Sequence, residues 1–203
     1  SFYPMEVAAT RGEVEEYKNR FKDEYLVFPE DRSYPIRMKD ALPVRWIAGK
    51  PAGEFHGTAQ RNEYYVLQIG IFASRKSIRN IKLGYSALQD GQGNIIPTEA
   101  FTCFNTNGTD SRGKAFTKVV DIDQGKVQAM WVGIDVPGEV VPGTYEGHID
   151  ILPENSEEKR VKIQLVVSET YLADRGDGEP WRHSRLRWLN STLGLDDIPV
   201  HPY

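Results

Sequence analysis

The sequence predicts an all-β protein: an immunoglobulin-like or jelly-roll-type antiparallel β-sandwich, with a short N-terminal helical segment and an irregular C-terminal extension. Three observations predict it. From about residue 42 onward, apolar residues either follow a period of two or run unbroken over strand-like lengths. Turn-forming pairs, among them Asp90-Gly91, Gly93-Asn94, Pro137-Gly138 and Pro142-Gly143, punctuate those runs. Nowhere do strands alternate with helical stretches, which argues against a parallel α/β sheet.

The elements follow in order. Residues 11–24, RGEVEEYKNRFKDE, are highly charged, and Tyr17 and Phe21 at i, i+4 give them one small apolar edge, which predicts a short helix. EYYVLQIGIFA places Tyr65, Leu67, Ile69 and Ile71 on one face. Tyr64, Val66 and Phe72 make the other face partly apolar, as in a strand covered on both sides. IRNIKLGYSAL reads as the next strand stretch. LQDGQGNIIP reads as a hairpin, because its Asp-Gly and Gly-Asn pairs tolerate positive φ. AFTKVVDID and KVQAMWVGIDV follow, joined by an Asp123-Gln124-Gly125 turn.

Lys126–Val136 is apolar on both faces and is predicted to be an interior strand. Pro137 cannot donate to a ladder, so pairing stops there. Pro142-Gly143 suits a type II turn, and residues 137–143 are predicted to form a surface corner. Thr144–Leu152 then alternates, with Tyr145, Gly147, Ile149 and Ile151 inward and Thr144, Glu146, His148 and Asp150 outward. Arg160–Ser168 repeats the pattern, with Val161, Ile163, Leu165 and Val167 inward. The two stretches are predicted to pair antiparallel within one sheet of a sandwich.

From Thr170 the strand pattern stops. ADRGDGEP is a polar turn, and WRHSRLRWLNSTLGL puts Leu186, Leu189 and Leu193 at i, i+3, i+7, which predicts a short helix or an irregular docking segment. The expected organisation is a β-sandwich over residues 1–169, with its strand-rich core at about 42–169. An extension over 170–203 leads toward a downstream domain. The chain starts at Ser1 and ends in DDIPVHPY, and is expected to be part of a longer polypeptide.

Composition narrows the function classes. A chain of 203 residues can bury about 70% of its unfolded surface without staples. A net charge of −4 argues against a nucleic-acid partner. Cys103 is the one cysteine, so no internal disulfide forms, and its place in AFTCFN suggests a structural thiol. No apolar run approaches the ~18 residues of a membrane span, and no signal peptide is visible.

Candidate chemistry is sparse. His56, His148, His183 and His201 stand in no metal-binding spacing, so no metal is assigned. Asp174, Asp177 and Glu179, or Asp90 with Asn94, offer oxygens to calcium but miss the D-x-D-x-D-G spacing, and turn chemistry is favoured. Asp196-Asp197 are adjacent, and neighbours in an extended chain point apart. The glycines at 91, 93, 108 and 113 form no phosphate loop, and no cofactor is assigned.

WRHSRLRW is the most functional-looking stretch, interleaving Arg182, Arg185 and Arg187 with Trp181 and Trp188. Arginine with tryptophan suits anionic sugars, nucleic acid or a protein interface. The competing reading buries both tryptophans on the sandwich or the next domain and pairs the arginines with Asp174 and Asp177. These five residues are the carbohydrate or domain-interface candidates, and no catalytic residue is assigned.

Three stretches carry a family resemblance. GTAQRNEYYVLQIGIFA has an Ala-x-Arg-x-Glu start running into a strand with Gln. MWVGIDVPGEVVPGTYEGHIDI has an apolar strand, Val-Pro, and Pro-Gly-x-Tyr-x-Gly before an alternating strand. DRGDGEPWRHSRLRWLNSTLGLDD supplies the junction. Over roughly 35–203 the chain resembles the N-terminal β-sandwich of bacterial proteins related to glycoside hydrolase family 123, in an uncharacterised Bacteroides-type subgroup.

That resemblance implies a periplasmic or extracellular protein whose catalysis lies in a downstream barrel. There an Asp-Glu pair acts with the substrate's acetamido group. A (β/α)₈ barrel needs on the order of 200 residues, and its catalytic motif maps onto no residue of this chain. The expected role is a non-catalytic accessory domain that braces the catalytic module. Its expected partners are downstream domains of the same polypeptide, and possible contact with glycan is part of the same reading. A carbohydrate-binding module is the alternative, with Tyr34, Trp46, Tyr85 and Tyr145 as stacking platforms, although Tyr145 is expected to point inward. A self-contained enzyme would need a carboxylate pair across a cleft.

Overall fold

Every residue of Tyr64–Phe72 is buried, and the architecture follows from covering both faces of that strand. The computed structural model describes residues 3, 5–109 and 112–188. In chain order the elements are α1 (Arg11–Arg20), β1 (Leu26–Asp31), α2 (Val44–Ile47), β2 (Glu54–Arg61), β3 (Tyr64–Phe72), β4 (Lys82–Tyr85), β5 (Leu88–Gln89) and β6 (Ile95–Ile96). They continue with β7 (Phe101–Cys103), β8 (Asn107–Thr109), β9 (Ala115–Thr117), β10 (Val127–Asp135), β11 (Gly143–Leu152) and β12 (Lys159–Tyr171). Short 3₁₀ turns follow at Pro180–Arg182 and Ser184–Arg187.

Two sheets face each other. The first has the order β1-β3-β10-β7 and the second β2-β12-β11-β5-β6, with β4 also pairing β11; β8 and β9 form a separate hairpin. Between the sheets, Tyr65, Leu67, Ile69 and Ile71 of β3 pack with Tyr145, Ile149 and Ile151 of β11 and Val161, Ile163, Leu165 and Val167 of β12. Each such side chain contributes roughly 1.5–3 kcal/mol through burial. The fold is therefore the immunoglobulin-like sandwich that the alternation predicts.

The strand readings at the centre hold. β10 lies between β3 and β7 as an interior strand. β11 pairs antiparallel with β12, with Tyr145 opposite Leu165 and Ile149 opposite Val161. β5 and β6 close the expected hairpin, with Gly91 and Gly93 at positive φ and the Asp90 carboxylate accepting the amides of Gln92 and Asn94. Helix α1 forms with a reciprocal Thr10–Glu13 cap, and the Tyr17 and Phe21 rings meet at a tilt with centres 4.7 Å apart. Burial pushes the Tyr17 hydroxyl up to about 12.

Four details differ from expectation. β1 precedes residue 42 and belongs to the sandwich, pairing antiparallel with β3. Pro29 lies within it, and an edge strand is where a ladder tolerates the missing N–H. Where strand signals were expected from residue 42, Val44–Ile47 forms a helical turn. The β2–β12 ladder is parallel, because β2 crosses to the second sheet before β3 enters the first. Gly143 does not adopt positive φ, so Pro142-Gly143 makes no type II turn. The hydrogen-bonded turn of the corner instead runs from Pro137 to Val140, whose N–H reaches the Pro137 carbonyl at 3.5 Å.

The outer face of the first sheet is covered in two parts. Met5, Tyr17, Ile36, Leu42 and Trp46 cover Leu26, Phe28, Phe72, Val127 and Ala129 at one end. Tyr64, Val66 and Phe104, with Trp131 and Leu186, form a smaller cluster at the other. Gly70 and Gly133 make room here, since a Cβ at either would collide with the Trp46 or Tyr64 ring.

Tyr145 is fully buried, and its hydroxyl donates to the Val141 carbonyl at 2.7 Å. Tyr145→Ala is expected to lower stability by about 3–5 kcal/mol, by analogy with other large aromatic truncations. Tyr145→Phe, which removes only the hydroxyl, is expected to lower it by about 1 kcal/mol. Urea denaturation of both variants checks the ratio.

Candidate functional site

Glu63 is a charged residue at the head of the most apolar strand, and it is fully buried. Its Oε1 accepts from Arg32 Nη1 at 2.5 Å and from Arg182 Nη1 at 2.9 Å, while Oε2 accepts from the Gln60 amide at 2.8 Å. Arg32 and Arg182 are themselves 4% and 7% exposed, so both guanidiniums depend on this carboxylate for charge compensation. The Arg32 guanidinium also lies 4.5 Å from the Tyr65 ring centre. Glu179 Oε1 sits 3.3 Å from Arg182 Nε, an ion-pair distance without hydrogen-bond alignment.

The same end of the sandwich gathers three loops. Asn62, in the left-handed region at φ 63°, takes its N–H to the Pro137 carbonyl at 3.2 Å and its Nδ2 to the Leu172 carbonyl at 2.8 Å. The Tyr64 amide reaches the Arg175 carbonyl at 3.1 Å, and the Val136 amide reaches the Glu63 carbonyl at 3.0 Å. Arg175 also pairs with Asp135. The Pro137 corner is thus bound into the β2–β3 link and the C-terminal segment.

The five interface candidates are placed unequally. Arg182 is buried against Glu63. Arg187 pairs with Asp177, and Arg185 Nε donates to the Asp177 carbonyl at 2.8 Å. The expected pairing with Asp177 therefore holds, whereas Asp174 is used by its own turn: it accepts the Gly176 amide at 2.9 Å and the Gly178 amide at 2.7 Å. These backbone hydrogen bonds hold the Asp174 carboxyl below the usual aspartate range.

Trp181 and Trp188 are 52% and 62% exposed, so neither is buried on the sandwich, one of the two burial sites that the competing reading named. Leu186 packs beside Tyr64, Val66 and Phe104 as a docking residue, within 3₁₀ turns rather than an α-helix. Leu189 and Leu193, the carboxylates Asp196 and Asp197, and His201 lie outside the described residues.

Trp181 is held firmly. Its indole Nε1 donates to Glu179 Oε2 at 2.9 Å, and the guanidiniums of Arg182 and Arg32 lie 4.4 and 4.9 Å from its ring centre. The neighbouring His183 occupies the left-handed region at φ 55°, with its ring 5.3 Å from Trp131. Burial pushes its pKa down, and the charge of Arg32 adds to the shift.

Trp181 borders the outer face of the second sheet, which no other layer covers among the described residues. A depression there is lined by Trp181, His56, Thr58, Gln164 and Val166. It shares His56 and Gln164 with a second depression that reaches Glu146, His148, Arg160 and Lys162. A polar row crosses three strands: His56 Nδ1 lies 2.9 Å from Gln164 Oε1, and Gln164 Nε2 donates to Glu146 Oε1 at 3.1 Å. Arg160 forks onto Asp150 at 2.6 and 3.0 Å and, with that hydrogen bond as the main cause, draws the Asp150 pKa down.

Of the four suggested stacking platforms, Trp46 and Tyr145 are buried, Tyr145 as expected, and Tyr34 and Tyr85 are partly buried. Trp46 is buried, stacked on Phe28 at 4.2 Å, with Nε1 donating to Glu30 at 2.8 Å. Tyr145 is core. Tyr85 is partly buried and stacks on Phe101 at 4.7 Å, and Tyr34 lies under the Arg45 guanidinium at 3.7 Å. Cys103 is buried, and burial raises its pKa, as for a structural thiol. Among the described residues no group of three or more His, Cys, Asp or Glu could hold a metal ion. No helix there is long and apolar enough to cross a membrane.

The fold and its anchored segment define a β-sandwich domain. No family model and no curated protein matches the chain. Among solved structures it is similar to a family 123 glycoside hydrolase from Clostridium perfringens, studied for glycolipid glycan hydrolysis, with 14% identity and a TM-score of 0.54. That match covers 72% of this chain and 27% of the other, so the chain spans about a quarter of the glycosidase's length. It is also similar to PapD-like domain 7 of human CEP192, at 12% identity and a TM-score of 0.39, over 59% of this chain and 83% of that one. The E. coli chaperone DraB matches at 10% identity and a TM-score of 0.34, over 58% and 53%. At such identities the likeness to the glycosidase is one of fold.

Asp174 gives a pH test. Its pKa is depressed in the folded state, so the folded protein binds fewer protons than the unfolded chain in the acid range. The stability it contributes is complete above the ordinary aspartate value of about 3.9 and is lost as pH falls through the lower folded value. Asp174→Ala is expected to destabilise the protein at neutral pH and to flatten part of its acid limb, read from melting temperatures between about pH 2.5 and 6.

Proposed function

We propose that this chain is a non-catalytic accessory β-sandwich of a larger glycoside hydrolase, N-terminal to the catalytic module and bracing it. The parent belongs to the Bacteroides-type subgroup related to family 123 and works in the periplasm or outside the cell. The sandwich occupies 1–169, and the extension 170–203 passes to the next domain. One observation carries the reading. The segment from Gly176 to Trp188 is locked onto the sandwich through Glu63–Arg182 and through Leu186 packed beside Tyr64, Val66 and Phe104, and is tied to itself by Asp177–Arg187, yet it holds Trp181 and Trp188 out to solvent.

Exposed tryptophan and arginine on a rigid base are the side chains that dominate binding energy at protein interfaces. Trp188, with the Arg187 guanidinium 4.7 Å from its ring centre and Arg185 nearby, is the surface offered to the downstream domain.

The experiment has two arms. The chain alone is expected to release nothing from aryl N-acetylhexosaminides or natural glycans, while the longer polypeptide does. In the longer polypeptide, Trp188→Ala is expected to lower the unfolding temperature of the catalytic module without changing that of the sandwich alone. Turnover by the chain alone that disappears when one of its own carboxylates is replaced would contradict the proposal. So would a Trp188→Ala parent that unfolds as the wild type does.

A further inference from the structure

We infer that the outer face of the second sheet, from Trp181 across His56 and Gln164 to Glu146, is a binding groove for a short neutral oligosaccharide. This goes beyond the bracing role and does not rest on it. Three observations converge on the groove.

The first is the platform. Trp181 is half exposed, yet its indole nitrogen is hydrogen-bonded to Glu179 and two guanidiniums lie within 4.9 Å of its ring centre. A large ring that is already immobilised loses little freedom when a second flat, weakly polar surface stacks on it. The second is the polar row beside it. Thr58, His56, Gln164 and Glu146 present hydroxyl, imidazole, amide and carboxylate groups across β2, β12 and β11, over about 10 Å of sheet. Such mixed donors and acceptors match hydroxyl groups, which both donate and accept.

The third is charge. Glu54 and Glu146 share this face with Arg160 and Lys162, Asp150 is held by Arg160, and His56 Nε2 lies 3.5 Å from Glu54. Neither sign dominates, so an ionic ligand of either charge meets like charges as well as partners. An added peptide strand would find an open backbone edge only along β2, the outer strand at the margin of the groove, and not across its floor, where β12 and β11 are paired on both sides.

The test is isothermal titration of the chain with cellotetraose, mannotetraose, N,N′,N″-triacetylchitotriose and lacto-N-tetraose, with a heparin tetrasaccharide as the anionic comparison. At least one neutral sugar is expected to bind in the range of about 10 μM to 1 mM. Trp181→Ala is expected to weaken that binding at least about tenfold and Trp181→Phe much less, since Phe keeps a stacking ring. Gln164→Ala lies away from the Glu63 anchor and reads the same site if Trp181→Ala unfolds. The inference is overturned by no heat with any neutral sugar at millimolar concentration, by binding to heparin alone, or by binding that survives these substitutions. None of those outcomes touches the accessory role, which is judged by turnover and by the unfolding of the catalytic module.

Discussion

The structure depends on one buried carboxylate. Glu63 stands where the chain leaves the second sheet and enters the central strand of the first, and it compensates two buried guanidiniums, Arg32 from the end of β1 and Arg182 from the C-terminal segment. Three remote stretches therefore meet at one charge. Removing one partner of such a buried set typically costs about 3–5 kcal/mol, because the remaining charges cannot be rehydrated. That magnitude exceeds anything an exposed ion pair on the same molecule can contribute.

The anchor also explains which surfaces are covered. With Arg182 fixed, Leu186 is carried onto Tyr64, Val66 and Phe104, closing one end of the first sheet. The N-terminal helix and the Trp46 turn close the other. The outer face of the second sheet has no such cover among the described residues and is correspondingly polar, with His56, Lys162, Gln164 and Glu146 outward. Trp181 and Val166 are exceptions, and Trp181 is an aromatic ring at the margin of this polar face, held by the same guanidiniums that Glu63 compensates. Structural anchor and proposed recognition surface thus share Arg32 and Arg182.

Much of this was legible in the sequence, for physical reasons that differ by element. Strict alternation through Tyr145, Ile149 and Ile151 and through Val161, Ile163 and Leu165 determined both strands and their inward faces, because a shift of one residue would turn every apolar side chain to water. β3 was legible as a strand covered on both sides. β1 was not, because Pro29 and the short run LVFPED mimic a turn, and only the pairing with β3 makes it a strand. The Pro142-Gly143 corner was read from residue preference alone, while the actual turn is set by tertiary bonds from Asn62 to Pro137.

At the candidate site, the Arg-Trp composition located the segment but not its internal roles. Nothing in the spacing of Trp181, Arg182, Arg185, Arg187 and Trp188 tells which arginine turns inward, since its partner Glu63 lies 119 positions away. The Ala-x-Arg-x-Glu start ahead of β3 contained the signal, a lone acid at the head of a strand that is apolar apart from Gln68. The outward faces of β11 and β12 were legible, but the polar groove was not, because β2, which completes the row, lies far from both in the sequence. Amide hydrogen exchange on the wild type and Glu63→Gln tests the central claim most directly. The account predicts that the amides of Arg182 and Leu186 are protected in the wild type. In Glu63→Gln they should lose at least about tenfold more protection than those of β11 and β12. Free exchange of these amides in the wild type, or equal protection in both proteins, would contradict it.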